Sequence, residues 1–477
     1  MYDVIIIGGG VIGAFLARSL SKYKGKFLVI EKEGDVGMAT SMANSAIIHS
    51  GYDPEPGSKK AKFNVLGNGM FPKLAEELDV SFGKIGSLTI AKSEDDLLTL
   101  KSLKERAFNN GVEVEIINKE ELNKLEPNIS KDAIGALYAK TCGIIDPFNL
   151  VVHAFENACD NGVELSLNER VIDIKRIDNF YQISTNKRLI NTKSIINAAG
   201  LYADEIAKMI EDIDWKINPR KGEYYLLDHY STNLVHHVIF PLPSSKGKGV
   251  LISPTTSFNF IVGPSSEFVF SKDDLSTDNL TLKNIKEQAN LNVDNIDYSQ
   301  SIRVFSGLRA TSSTHDFIIE PSKKYNTFIN VAGIESPGLV SSPAIGEYVI
   351  NELLVPVLKF ENNNDYNPCI KKYFHPLKMG DTLANLFISE NPDYGKIICS
   401  CEKVSLGEIK DCLSRSVPPR SIKAVKKRTR AGFGKCQGGF CHPLVLKLLA
   451  DYFNLNMNEI MYQSENSEVV KIKIKDW

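Results

Sequence analysis

At 477 residues the chain is long enough for about three average domains, and its 56 Lys and Arg against 58 Asp and Glu leave a net charge of −2 with 43% hydrophobic residues. Those proportions exclude a disordered chain, a fibre and a protein that coats nucleic acid through bulk positive charge. No run of 18 apolar residues occurs, so no transmembrane helix is expected, and a core of this size needs no disulfide staples. The opening run is strand-like and unlike a secretory leader, so the expected compartment is the cytoplasm, with peripheral membrane association left open. In such a compartment eight cysteines read as metal ligands or spectator thiols.

In chain order, the apolar run Val4-Ile5-Ile6-Ile7 leads into Gly8-Gly9-Gly10-Val11-Ile12-Gly13, which fits G-x-G-x-x-G. A lone match is weak. Here it follows a buried-type strand and opens a helix predicted over Val11–Leu20, and a second strand over Phe27–Ile30 ends in Glu31. Gly8, Gly10 and Gly13 permit a tight turn and close approach of a pyrophosphate, the helix N-terminus offers unpaired N–H groups, and Glu31 can accept from ribose hydroxyls. A dinucleotide is therefore expected. The next loop, residues 37–51, is rich in small, hydroxyl and amide side chains, among them Thr40, Ser41, Asn44 and Ser45. It suits wrapping a long cofactor, FAD, where a nicotinamide domain gives a plain turn. Further on, a strand over 194–197 ends in Ala198-Ala199-Gly200, small enough for a backbone to pass close to that cofactor.

With these motifs, His49-Ser50-Gly51 and Gly333-Ile334-Glu335-Ser336-Pro337-Gly338, the chain from residue 2 to about 355 resembles the flavin-dependent D-amino-acid oxidase superfamily. Within it, the glycerol-3-phosphate oxidases and dehydrogenases are most similar. The resemblance implies one FAD in an α/β fold, a Rossmann-type FAD-binding domain interleaved with an antiparallel-sheet substrate domain. Its cofactor contacts would include Ala199, Gly200, Gly333, Gly338 and Leu339 besides the residues above.

Such enzymes take a hydride from a carbon bearing a hydroxyl or amine while a base takes the proton. His49 titrates in the right range for that base, the role the resemblance implies; the alternatives are a flavin contact or a structural histidine. An anionic substrate needs fixed cations. Arg309 is the best placed by type, its planar fork suiting an oxyanion, while Arg220 and Lys221 rank lower. By resemblance, Lys248 and Ser336 would join Arg309 around the phosphate of glycerol 3-phosphate. Glu335 opposes this, because a carboxylate facing a phosphate dianion repels it. Either its side chain turns away, or the substrate is another acid, as in the L-2-hydroxyglutarate dehydrogenases or amino-acid dehydrogenases of the same superfamily.

A helix predicted over 345–359 closes this part, and a polar stretch over 361–368 marks a boundary. Beyond it Cys399, Cys401, Cys436 and Cys441 form C-x-C-x34-C-x4-C. Two close thiolate pairs can hold zinc or an iron–sulfur cluster. A C-x-C pair is tight for one tetrahedral ion and easier across the adjacent irons of a [2Fe-2S] cluster. The spacing resembles the bacterioferritin-associated-ferredoxin-like [2Fe-2S] domain. Three short helices are predicted around it, over 405–413, 421–429 and 443–452. From 396 to 453 there are 12 Lys and Arg against 4 Asp and Glu, a local charge of +8. The run Lys426-Lys427-Arg428-Thr429-Arg430 is expected to tune the cluster or dock an acidic partner, or else to form a solvated helix face. Nucleic-acid binding is not expected, because no aromatic interleaving accompanies the charge. Cys142, Cys159, Cys369 and Cys412 read as core or surface thiols, and residues 469–475 as a terminal strand.

The expected organisation is thus α/β followed by α: residues 1–360 for FAD and substrate, 361–395 as linker, 396–455 as a small helical iron–sulfur domain and 456–477 as a tail. An oxidase gives flavin electrons to dioxygen and needs no relay. A one-electron cluster on the same chain points to a dehydrogenase passing electrons to a flavoprotein subunit or a quinone-linked partner, with an oligomer left open. A non-catalytic, zinc-containing assembly platform is the alternative of another class.

Overall fold

The computed structural model describes residues 1–229, 234–243 and 249–471. Strand β1 (Tyr2–Ile7) lies at the centre of the first sheet. Beside it, β2 (Phe27–Ile30) is parallel with Ile5 opposite Leu28, and the strand Leu189–Asn197 is parallel on the other side with Ile5 opposite Ile195. Between β1 and β2 runs helix α1 (Val11–Leu20), as the apolar pattern predicts. Val4 to Ile7 are all buried because the sheet is covered twice. Val4 and Ile6 face α1 and the helices Pro147–Asp160 and Gly338–Tyr348, while Ile5 and Ile7 pack with Val171, Ile174, Tyr181 and Phe328.

Among the described residues the second sheet has nine strands and is largely antiparallel. Its longest pairing joins Ile217–Leu227 to Ser301–Ser312, with Arg220 opposite Arg309, Gly222 opposite Gly307 and Tyr224 opposite Phe305. The glycine pair has a steric cause. A Cβ on Gly307 would stand 2.1 Å from the carbonyl oxygen of Ala43, and one on Gly222 would stand 2.6 Å from the Arg309 guanidinium. The loop after β2 therefore crosses the sheet at this point and meets the substrate side.

Predicted boundaries in the C-terminal part differ from the observed ones by a residue or so, because caps set them. Ser405 accepts from Glu408 N in a capping box at the start of Leu406–Leu413, Ser421 accepts from Ala424 N at the start of Ile422–Thr429, and a third helix spans His442–Phe453. These helices share a core of their own, including Ile409, Leu413, Val425, Val445 and Leu449.

Two expectations are corrected. The polar stretch after residue 360 is strapped to the first sheet's domain: Lys24 N donates to Glu361 O, Asn363 N to Lys22 O, and Asn157 to Asn367 O, and a helix forms at Asp381–Glu390. The basic run is neither a solvated face nor a partner patch. Lys426, Lys427, Arg428 and Thr429 are all buried. Arg428 clasps Asp35 through two 2.9 Å bonds, and Lys427 reaches Asp35 at 2.7 Å and Val36 O at 2.8 Å. The basic turn thus fastens the cysteine module to the loop after β2. Of the predicted terminal strand over 469–475, residues 472–475 lie outside the described residues. No described helix is long and apolar enough to cross a membrane.

Candidate functional site

One cavity of about 1210 Å³ runs between the two sheets, from the end of β2 to the Arg220–Arg309 pair. At its first end Glu31 accepts Gly9 N at 2.5 Å and Glu33 N at 2.9 Å, and burial raises its pKa. The glycines of the turn have different causes. A Cβ on Gly13 would sit 2.0 Å from Gly8 O, and one on Gly8 would sit 2.3 Å from Ala198 O, so the chain's own packing demands both. At Gly10 a Cβ would meet only Ser41 Oγ, at 3.3 Å, and would project where α1 opens on the cavity with no side-chain cap. That glycine keeps clear a cradle at a helix N-terminus, which fits a pyrophosphate. Ser41 Oγ accepts Val11 N at 2.9 Å, and Thr40 donates to Leu308 O at 2.7 Å, tying the loop to α1 and to the second sheet. Asn44 closes the loop through Ser41 O and Ala46 N.

Of the residues expected to hold the cofactor, Gly8, Gly10, Glu31, Thr40, Ser41, Asn44 and Ser45 line the cavity, as do Ala199, Gly200, Gly338 and Leu339. Gly13 and Gly333 do not: the first serves helix–strand packing, and the second is a left-handed turn against Ser312.

His49 and Ser336 meet towards the far end, and Arg309 lines the same cavity. His49 Nε2 lies 3.5 Å from Ser336 Oγ, its ring is 5.8 Å from that of Phe240, and its carbonyl is held by Asn64 and Asn68. The Arg309 guanidinium contacts Ser265 O at 3.3 and 3.4 Å. Lys248 lies outside the described residues. Glu335 also lines this end, and its charge is answered: Lys60 at 2.8 Å, Arg220 at 2.6 Å and Thr311 at 2.7 Å all donate to it. Burial would raise this carboxyl, but Lys60 and Arg220 outweigh that and hold it below its usual range. The repulsion expected of Glu335 is therefore cancelled, and the end of the cavity stays cationic through Arg309. Lys60 gave no signal in the sequence, being one lysine among several on an ordinary amphipathic helix.

In the cysteine module the spatial pairs cross the sequence pairs. Cys401 Sγ and Cys436 Sγ are 3.8 Å apart, and the Cys399 and Cys441 thiols interact with each other. Each pair thus takes one cysteine from each motif. Among the described residues no three His, Cys, Asp or Glu side chains converge as on a single ion. Two separate thiol pairs fit the two irons of a [2Fe-2S] cluster, with the tight C-x-C shared between them. Nearby, Lys426 is buried with Gln437 Oε1 at 3.2 Å and the Phe433 ring beneath its ammonium, and burial, with Arg303 and Lys423 close, pulls its pKa down to about 7. A cation so placed suits an anionic tetrathiolate cluster.

The nucleotide cradle, the crossing loop and the two sheets define a flavin-dependent oxidoreductase with an iron–sulfur module. The chain belongs to the FAD dependent oxidoreductase family, whose model matches residues 3–352, and the model of the BFD-like [2Fe-2S] binding domain matches residues 397–451. Its cofactors are FAD and a [2Fe-2S] cluster. A glycerol 3-phosphate dehydrogenase from Caloramator mitchellensis is 45% identical over 471 residues, 98% of each chain. A glycerol 3-phosphate oxidase from Mycoplasma genitalium is 34% identical over 376 residues, 77% of this chain and 97% of its own. The solved structure of dithionite-reduced L-alpha-glycerophosphate oxidase from Mycoplasma pneumoniae with FAD bound gives a TM-score of 0.74 at 30% identity, covering 78% of this chain and 99% of that one.

Proposed function

We propose that this protein is a dehydrogenase that oxidises sn-glycerol 3-phosphate to dihydroxyacetone phosphate and sends the electrons through its [2Fe-2S] cluster to a partner, a flavoprotein subunit or a quinone-linked protein. The observation that carries the reading is the far end of the cavity, where His49 and Ser336 meet and Arg309 lines the same space while Glu335 is neutralised by Lys60 and Arg220. Bound FAD supplies a hydride acceptor. The chain's own groups do the rest. Arg309 holds the phosphate, with Lys248 and Ser336 as its proposed companions. His49 Nε2 takes the hydroxyl proton as the C–H bond gives up its hydride, leaving a ketone.

A dehydrogenase is favoured over an oxidase because the likeness to the Caloramator protein spans nearly the whole chain, cysteine module included, whereas the Mycoplasma oxidases are covered almost entirely by about three quarters of it. The proposed division of labour assigns FAD and substrate to residues 1–360 and the cluster to 396–455. Between them Lys427 contacts Met38 Sδ at 3.2 Å, and Met38 lines the cavity. The helix Ile422–Thr429 therefore spans from the cofactor loop to the cluster module.

The test is the visible spectrum of anaerobically purified protein before and after glycerol 3-phosphate. Flavin and iron–sulfur bands that both bleach support the proposal. Bleaching by L-2-hydroxyglutarate instead would keep the chemistry and replace the substrate, and a colourless zinc protein would overturn it.

A further inference from the structure

Resting on the reading that electrons leave through the cluster, and taking the flavoprotein of its two proposed partners, we propose that the Cys401–Cys436 edge is the docking surface for a soluble, acidic flavoprotein that accepts one electron at a time. The two thiol pairs are not equivalent. Cys399 and Cys441 are 2% and 1% exposed, whereas Cys401 is exposed and Cys436 partly so. The cluster therefore has one wall inside the module and one edge in solvent, and the open edge is where a second protein can approach.

The exposed side chains of the module identify the partner's chemistry. Phe440, between Cys436 and Cys441 in sequence, is 85% exposed, and Leu444, four residues on, is 47% exposed. Large apolar side chains standing in water beside a redox centre are the kind of anchor that interfaces bury. The exposed charges of residues 397–448 are all cationic: Lys403, Lys410, Arg420, Lys435 and Lys447. The acids of the same stretch are spoken for, since Glu402 and Glu408 are buried and Asp411 is bonded to Arg415. Lys410 pairs with Asp393, but Lys403, Lys435 and Lys447 have no ion pair among the described residues. Asp451, one turn beyond Lys447, is the first exposed acid on that helix. A module surface that exposes apolar anchors together with unpaired lysines complements a carboxylate-ringed protein and steers its approach. The apolar area is too small to anchor on a lipid surface. Each substrate molecule yields two electrons, so two oxidised flavoproteins are each reduced by one electron per turnover.

The test uses the holoprotein with two haem proteins as probes, acidic cytochrome b5 and basic cytochrome c. Calorimetric titration of oxidised partners expects binding of the acidic probe alone, weakening as salt is raised. Lys403→Glu with Lys447→Glu, or Phe440→Ala, is expected to weaken it by about tenfold, with the cluster's electron-paramagnetic signal and substrate-driven dye reduction unchanged. Equal or tighter binding of cytochrome c, no effect of the substitutions, or binding to anionic vesicles in place of cytochrome b5 would overturn the proposal. A dithionite-charged cluster separates the two readings. If glycerol 3-phosphate fails to reduce the cluster but the charged cluster still reduces cytochrome b5 with the same lysine dependence, the functional reading falls and the docking surface stands.

Discussion

At the scale of single residues, His49 and Arg309 answer different questions and should fail differently. Removing a base slows the chemical step, so His49→Asn should lower the rate of substrate-driven flavin bleaching by about 100- to 10,000-fold. It should also abolish the acidic limb of the pH profile, because that limb reports protonation of the imidazole. Glu335 does not supply the limb. Its pKa is held below the usual carboxylate range, so its clamp on Lys60 and Arg220 is present above that range and lost only as pH falls through the lowered value. On the proposed reading, Arg309→Ala removes a charge-assisted contact made equally to substrate and transition state. KM for glycerol 3-phosphate should rise roughly 100-fold with little change in the saturated rate, as measured by stopped-flow bleaching. A fall in the saturated rate with KM unchanged would move Arg309 away from the phosphate. That His49 and Arg309 line the cavity was legible in the sequence, because a histidine in a cofactor loop and an arginine among small residues are local signals. Lys60 and the role of Arg220 were not, since a salt bridge spanning 275 residues leaves no mark in either segment.

At the scale of elements, helix Ile422–Thr429 shows where local reading stops. Its caps and apolar spacing could be read from the sequence, and its burial could not, because Asp35 lies 393 residues away from Arg428. The same helix carries Lys426 beside the cluster ligands. The anionic cluster, when bound, favours the ammonium form of Lys426, so Lys426→Met removes a buried positive charge that favours the more negative, reduced cluster. The midpoint potential should fall by on the order of tens of millivolts in a redox titration of the cluster's paramagnetic signal; an unchanged potential would show that the ammonium does not face the cluster. The helix Pro147–Asp160 carries a second titratable contact. Glu156 accepts from Tyr373 at 2.6 Å, tying this helix to the segment that leads into the cysteine module. Burial pushes its pKa up to about 7 despite the Tyr373 bond and Arg415. A raised carboxyl binds its proton in the folded state while the unfolded chain has released it, so stability falls as pH rises from about 4.5 towards 7. Thermal scans across that window should show a decline that Glu156→Gln flattens.

At the scale of the whole molecule, the question is what keeps two separately cored parts working as one. The sheets and the cysteine module each close their own apolar core, and what joins them includes a small ionic lock: Asp35 against Lys427 and Arg428, all three nearly inaccessible to solvent. Burial alone would raise the Asp35 carboxyl, but Arg428 and Lys427 outweigh it and hold its pKa well below the ordinary range. The lock is therefore present above that range and lost only as pH falls through the depressed value, below about pH 4. Asp35→Asn leaves two buried cations without their counter-charge, a change that costs about 3–5 kcal/mol. Each part keeps its own core, so the expected outcome is undocking of the module with FAD and cluster retained. The segment 361–395 should then be cut faster by protease, while glycerol 3-phosphate still bleaches the flavin and the cluster bleaches slowly or not at all. Replacing Asp35, Lys427 and Arg428 together by apolar residues should restore both the protease resistance and the cluster bleaching, because the penalty comes from the unpaired charges. If Asp35→Asn alone leaves proteolysis and cluster reduction as they were, the helix is held by its apolar contacts, and the ion pairs only fix its register.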